Sequence, residues 1–164
     1  MDVCIKGSAE DVRLGDIDEI CHEIGRILLP TDGSAPSVAA TEYAVMLAKT
    51  FGASVKAIYV DTGLEALEYP EEVMDEDVYE GVHASVKGLV LAKIMCERNG
   101  VPCEVEVVQG GVAKRIVHVA EEWKADMIVV GDTGRTGLKR IALGSVAETV
   151  VKGAPVPVLV VKAE

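Results

Sequence analysis

The chain reads as an α/β domain, with five parallel strands in one sheet and helices on both faces. Three observations predict this class. Short, near-continuous apolar runs rich in Val, Ile and Leu recur along the chain, five in all. Segments with helical spacing separate them, giving the order β-α-β-α-β-α-β-α-β. The length of 164 residues, 49% apolar and 26% charged, suits one domain with a sizeable core. Aromatic residues are only 4%, so Val, Ile, Leu and Ala must build that core.

The elements follow in order. Residues 1–24 are acidic and weakly patterned, an extension with at most a short helix near Asp16 to Ile24, and the domain proper is assigned to residues 25–164. Strand one is Arg26 to Thr31. Ser34 is a helix cap with Pro36 in the first turn, and the apolar face of that helix is read as Ala40, Tyr43, Ala44, Leu47, Ala48 and Phe51, stopped by Gly52. Strand two is Ser54 to Val60. Asp61 to Glu80 holds nine acids and no Lys or Arg, a solvated face or a flap beside the site. The second helix continues from it to about Asn99, with a mostly apolar stripe of Val82, Val86, Leu89, Val90, Lys93 and Cys96. Strand three is Cys103 to Val108. The third helix is Val112 to Lys124, with Ile116, Val119, Ala120 and Trp123 on one face; strand four is Met127 to Val130. A fourth helix, Val146 to Lys152, and a fifth strand, Val156 to Val161, complete the chain.

Composition excludes several function classes. A net charge of −11 and a pI near 4.7 disfavour nucleic acid and anionic membrane, both polyanions. No apolar run approaches the ~20 residues of a membrane span, and no secretory signal pattern opens the sequence. The four cysteines (Cys4, Cys21, Cys96, Cys103) form no Cys-x-x-Cys pair and the three histidines are scattered, which argues against zinc. Their plain reading is reduced thiols in a cytoplasmic protein; Cys96 and Cys103 bracket one helix-to-strand turn.

The most informative stretch follows strand four. Gly131-Asp132-Thr133-Gly134, nine further residues, then Gly144-Ser145 at the start of a helix give G-x-x-G-x9-G-S. Glycines let a backbone approach a ligand closely, and the unpaired N–H groups of a helix start attract anions. Between Thr133 and Ala147 stand Arg135, Lys139 and Arg140 with no acid, a positive island in an acidic chain. P-loop, dinucleotide and nucleophile-elbow patterns are all missing. Ser145 and Glu148 also have the spacing of a capping box. In sheets of this kind ligands bind beyond the strand C-termini, where strand order reverses. If strands one and four are neighbours, Pro30-Thr31-Asp32-Gly33 and Gly131-Asp132-Thr133-Gly134 face one crevice.

From Arg26 to Lys162 the chain resembles a universal stress protein domain. The resemblance rests on PTDGS after strand one, on Tyr59-Val60-Asp61, and on GDTGRTGLKRIALGSVAETVVKGAPVPVLVVK. It implies strand order 3-2-1-4-5 and, because the glycine motif is present, the ATP-binding branch of that family. It further implies that Pro30, Thr31 and Asp32 lie against adenosine, with Asp32 on the base or ribose. Val60 corresponds to the residue whose backbone meets adenine. Gly131 and Gly134 pass under ribose and phosphates, Gly144, Ser145 and Val146 hold the β- and γ-phosphates, and Asp132, Thr133, Arg135, Thr136, Gly137 and Ala147 complete the ATP-binding set. Gly110 and Gly111 are candidates for the adenine edge. Asp132 departs from the usual small hydroxyl residue. A carboxylate ~4 Å from a phosphate costs about 4 kcal/mol at an effective dielectric of 20, so a contact to ribose or to a phosphate-bound Mg²⁺ is the reading taken for it.

The function so implied is an adenine-nucleotide-dependent regulatory module that works as a homodimer joined through Val156 to Val161, with a protein partner the sequence does not identify. The alternative is a slow ATPase or phosphotransferase using Mg-ATP, although no general base stands out. A structural dimer with an empty site is a third reading.

Overall fold

The computed structural model describes residues 22–63, 84–134 and 143–163. Strands β1 (Arg26–Pro30), β2 (Ser54–Asp61), β3 (Cys103–Gln109), β4 (Met127–Gly131) and β5 (Val158–Val161) form one sheet in the order β3-β2-β1-β4-β5. Every pairing is parallel, with Leu28 opposite Lys56 on one side of β1 and opposite Ile128 on the other. Helices α1 (Ala35–Phe51), α2 (Ala84–Arg98), α3 (Val112–Glu122) and α4 (Ser145–Gly153) make the crossovers. The chain winds outward from β1 to β3, then returns past β1 to β4 and β5. Right-handed crossovers therefore put α1 and α2 on one face, α3 and α4 on the other.

The strands alternate between two cores. Ile27, Leu29, Val55, Ala57, Val129 and Val161 pack under α1 and α2. Leu28, Ile58, Val60, Ile128 and Val130 pack under α3 and α4. Burial on both sides explains why β1 and β4 read as nearly unbroken apolar runs, whereas edge strand β3 alternates with exposed Glu104 and Glu106; each fully buried Leu or Ile contributes about 1.5–3 kcal/mol.

Four sequence expectations need correction. The buried face of α1 is Ser37, Ala40, Thr41, Ala44, Val45 and Ala48, while Tyr43 and Phe51 are about half exposed (48% and 52%). Alanines and aliphatics run round much of this helix, so two stripes compete in the sequence. The one without large side chains lets α1 lie close over β1 and β4. Ser34 occupies the N-cap of α1 without capping it through its side chain; its hydroxyl donates to Asp32 Oδ1. β5 begins at Val158 rather than Val156; Pro157 has no N–H to give a ladder, though its carbonyl accepts the Ile128 N–H (2.9 Å). α3 ends at Glu122, and Trp123 forms its cap. Beyond it, Lys124 takes a left-handed φ of 53° in a Schellman turn closed by Ala125 N–H to Ala120 O (2.9 Å).

Trp123 sits at the end of the sheet where the strands begin. The Arg26 guanidinium lies 5.9 Å from its ring centroid and Lys56 Nζ lies 6.0 Å away. Arg26 also donates to the Trp123 carbonyl (3.0 Å). Lys56 reaches Glu106 (2.8 Å) and Glu104 (3.4 Å) on β3. The expected helix near Asp16 and the bulk of the Asp61 to Glu80 segment lie outside the described residues, as does Val82. Residues 22–25 carry no regular element, although Ile24 packs against the α1–α2 core. No helix among the described residues is long and apolar enough to cross a membrane.

Candidate functional site

Strand order reverses between β1 and β4, and a cleft of about 320 Å³ opens beyond their C-terminal ends. Its walls come from four places. Pro30, Thr31, Asp32 and Ser37 come from the β1–α1 junction; Ile58, Tyr59, Val60 and Thr62 from β2 and its exit. Val112 and Ile116 come from α3. Val130, Gly131, Thr133 and Gly134 meet Gly144, Ser145, Val146 and Ala147 across the β4–α4 connection.

One end of the cleft is apolar. Ile58, Val60, Val112, Ile116 and Val130 form an apolar slot, with Val60 only 7% exposed. The β1–β2 ladder stops at the Thr31 N–H to Ile58 O bond (2.9 Å). In a parallel ladder successive residues turn their backbone groups to alternate sides. Val60, two residues past Ile58, therefore turns its N–H and C=O toward the side where β1 has ended, into the cleft.

The other end is a helix start. Gly144 is the N-cap of α4, with φ −63° and ψ 152°, and no side chain caps the helix. The first helical bond runs from Glu148 N–H to Gly144 O (2.9 Å), so the N–H groups of Ser145, Val146 and Ala147 have no intrahelical acceptor. This corrects the capping-box expectation. Ser145 is the first helical residue rather than the cap, and Glu148 turns outward to Lys152 (2.6 Å), whose hydrogen bond holds its carboxyl below the usual range. The Ser145 hydroxyl is thus not consumed by Glu148. The helix dipole adds about 0.3–1 kcal/mol for an anion there.

The junction after β1 is braced by buried hydroxyls. Thr31 Oγ1 donates to Ser37 Oγ (3.2 Å), Ser37 donates to the Ser34 carbonyl (2.9 Å), and Thr41 donates to the Ser37 carbonyl (2.8 Å). Asp32 Oδ1 accepts the Ser34 N–H (3.0 Å), an Asx turn that fixes the carboxylate at the cleft mouth.

Three glycines set how tightly the walls close. A Cβ on Gly131 would stand 2.8 Å from the backbone carbon of Pro36, so β4 and the first turn of α1 touch through it. A Cβ on Gly134 would lie 3.1 Å from Asp32 Oδ2, and one on Gly144 would lie 3.0 Å from the Asp132 carbonyl. The loop ends are tied by Gly144 N–H to Asp132 O (2.7 Å) and Asp132 N–H to Val161 O (2.8 Å).

Most of the residues singled out in the sequence come together here. Asp132 and the Gly110–Gly111 pair do not line the cleft. The Asp132 carboxylate accepts the Thr133 hydroxyl (3.2 Å), and Gly110 donates its N–H to the Asp61 carbonyl (3.0 Å). Arg135, Thr136, Gly137, Lys139 and Arg140 lie outside the described residues. Sequence reasoning missed Ser37, Tyr59, Thr62, Val112 and Ile116, whose only signal was their position at strand ends and at the start of a helix. It also missed Gly88. A Cβ there would stand 2.2 Å from Thr31 Oγ1 and 2.8 Å from the Gly33 nitrogen, so α2 presses directly on the floor of the site.

Comparison with known proteins places this geometry in a family context. Residues 23–162 match the model of the universal stress protein family. Universal stress protein MJ0531 of Methanocaldococcus jannaschii is 46% identical over 138 residues, covering 84% of this chain and 81% of that protein. Universal stress protein YxiE of Bacillus subtilis is 34% identical over 145 residues, covering 84% and 98%. Among solved structures, a universal stress protein in complex with cAMP superposes with a TM-score of 0.63 at 25% identity, covering 87% of this chain and all (100%) of that one.

Proposed function

The chain belongs to the universal stress protein family, and from that premise we propose that its cleft binds an adenine nucleotide, ATP in preference, as the signal of a cytoplasmic regulatory module. The observation that carries the reading is the pairing of two unlike ends in one cleft. An apolar slot backed by the free edge of Val60 suits a purine. In the same cleft, three N–H groups at the start of α4 suit phosphates. The family resemblance of the glycine motif and the cAMP complex of a related protein support the same assignment.

In this reading Asp32 meets the ribose, Gly131 and Gly134 pass beneath it, and Gly144 through Ala147 hold the terminal phosphates. Thr133 lines the wall between them; Arg135, Thr136 and Gly137 complete the loop. Asp132 keeps its carboxylate on Thr133, away from the phosphates, which removes the ~4 kcal/mol repulsion that a close approach would bring. Mg²⁺ would accompany the phosphates rather than occupy a protein cage of its own.

Mass spectrometry of small molecules released from the purified, denatured protein tests the proposal. The expected result is an adenine nucleotide, or micromolar ATP binding by calorimetry if the protein purifies empty. A protein that releases none and shows no heat with ATP, ADP or AMP would overturn it.

The same reading makes β5 the seam of a homodimer. It is one of the two sheet edges, with Val158, Leu159 and Val160 half-buried, and an apolar edge invites pairing. Light scattering at micromolar concentration should give twice the chain mass of 17.3 kDa; a monomer mass would remove this part.

A further inference from the structure

We propose that Cys96 and Cys103 form a thiol-oxidation site, which a hydroperoxide converts into a reversible intramolecular disulfide. The two residues face each other across the turn from α2 to β3. α2 ends at Arg98, Gly100 turns the chain with φ 67°, and the Val101 N–H closes back on the Cys96 carbonyl (2.9 Å). β3 then opens at Cys103, and Lys93 Nζ reaches from α2 to the Cys103 carbonyl (3.0 Å). Backbone bonds on both sides thus hold the two cysteines in register. Both side chains belong to the layer between α2 and the sheet, Cys96 fully buried and Cys103 half-buried at its rim.

The two thiols differ in the way a reactive pair requires. The Cys103 S–H meets the Glu104 carbonyl (3.6 Å), and the two thiols interact with each other through a hydrogen bond. That hydrogen bond, aided by the Lys93 ammonium, holds the Cys103 thiol below its ordinary range against burial and the carboxylates of Glu97 and Glu104. The same bond and its own burial push Cys96 up. Cys103 is therefore the nucleophile and the accessible partner; Cys96 is the resolving thiol, protected until the first step is over.

The chemistry balances. The Cys103 thiolate attacks one peroxide oxygen, the O–O bond breaks, and the departing alkoxide or hydroxide takes up a proton. Cys103 is left as a sulfenic acid. Cys96 loses its proton and attacks that sulfur, the S–O bond breaks, and water leaves as the S–S bond forms. Two electrons pass from the two sulfurs to the peroxide; a dithiol reductant reverses the change.

Trypsin makes the test direct, because Lys93, Arg98 and Lys114 are cleavage points and Arg98 separates the two cysteines. The full-length protein is treated with hydrogen peroxide, quenched with N-ethylmaleimide and digested without reductant. The expected product is peptide 94–98 linked to peptide 99–114. It should form at several-fold lower peroxide than any product of Cys4 or Cys21, and disappear with dithiothreitol. In Cys96→Ser the linked pair should vanish and dimedone should label Cys103. Recovery of both cysteines as maleimide adducts at peroxide levels that oxidise Cys4 or Cys21 would overturn the proposal. This wild-type map decides the matter even if the variant fails to fold.

Discussion

Gly88→Ala is expected to lower stability by about 2–3 kcal/mol, although alanine in a helix interior ordinarily raises it by about 1 kcal/mol. The reversal comes from contact. The new Cβ would meet Thr31 Oγ1 at 2.2 Å and the Gly33 nitrogen at 2.8 Å. Thr31 is buried, 4% exposed, and its hydroxyl is committed to Ser37, so neither neighbour can swing aside. Either α2 lifts from the sheet or the β1–α1 junction shifts. Thermal unfolding should show a midpoint roughly 4–10 °C lower. Nucleotide affinity should fall as well, since Thr31 and Asp32 line the cleft. The double variant Gly88→Ala, Thr31→Ala should recover part of the stability, because it removes the nearer obstacle. A midpoint raised by about 2–4 °C in the single variant, the ordinary helical response, would show that α2 does not press on the site.

Ser145→Pro is the second change with a large expected effect, and it should separate binding from folding. Proline at the first helical position is tolerated, because the N–H it lacks has no helical partner. The preceding residue must be extended, and Gly144 already is, with ψ 152°. The Ser145 carbonyl, which accepts the Thr149 hydroxyl (2.8 Å), is untouched. Stability should change by less than about 1 kcal/mol. One charge-assisted hydrogen bond to a phosphate would be lost, worth roughly 1.5–3 kcal/mol, so ATP affinity should drop about 10- to 100-fold. Calorimetric titration of folded wild-type and variant protein reads the difference. Equal affinities would remove the start of α4 from the phosphate site.

The sheet was legible because both faces of every central strand are buried. No alternation of apolar and polar residues was needed; the runs Arg26–Pro30 and Met127–Gly131 stand out on hydropathy alone. The glycines at the ends of β4 and α4 were legible for a different reason, since their spacing has few uses besides a close backbone approach. What sequence could not give was orientation. Thr41 and Val45 of α1 are buried while Tyr43 and Phe51 are not, because the sheet selects the stripe that permits the closest approach. Gly88 carries no local signal, as its constraint comes from Thr31 and Gly33, more than fifty residues earlier in the chain. Ser145 shows the subtlest miss. A one-residue displacement of the cap, from Ser145 to Gly144, turns a self-satisfied helix start into one with open donors.

The chain has a single tryptophan, and its position has a spectroscopic consequence. Trp123 lies beside the Arg26 and Lys56 cations where the strands begin, with the length of the sheet between it and the cleft. Its emission will follow global unfolding, when the two cations leave the ring, yet stay nearly silent as the cleft fills. Intrinsic fluorescence is therefore a clean denaturation signal for this protein and a poor titration signal. An optical reporter of occupancy has to be sought on the nucleotide itself, because Tyr59, though it borders the cleft, packs its ring against the α1–α2 core on the other face of the sheet.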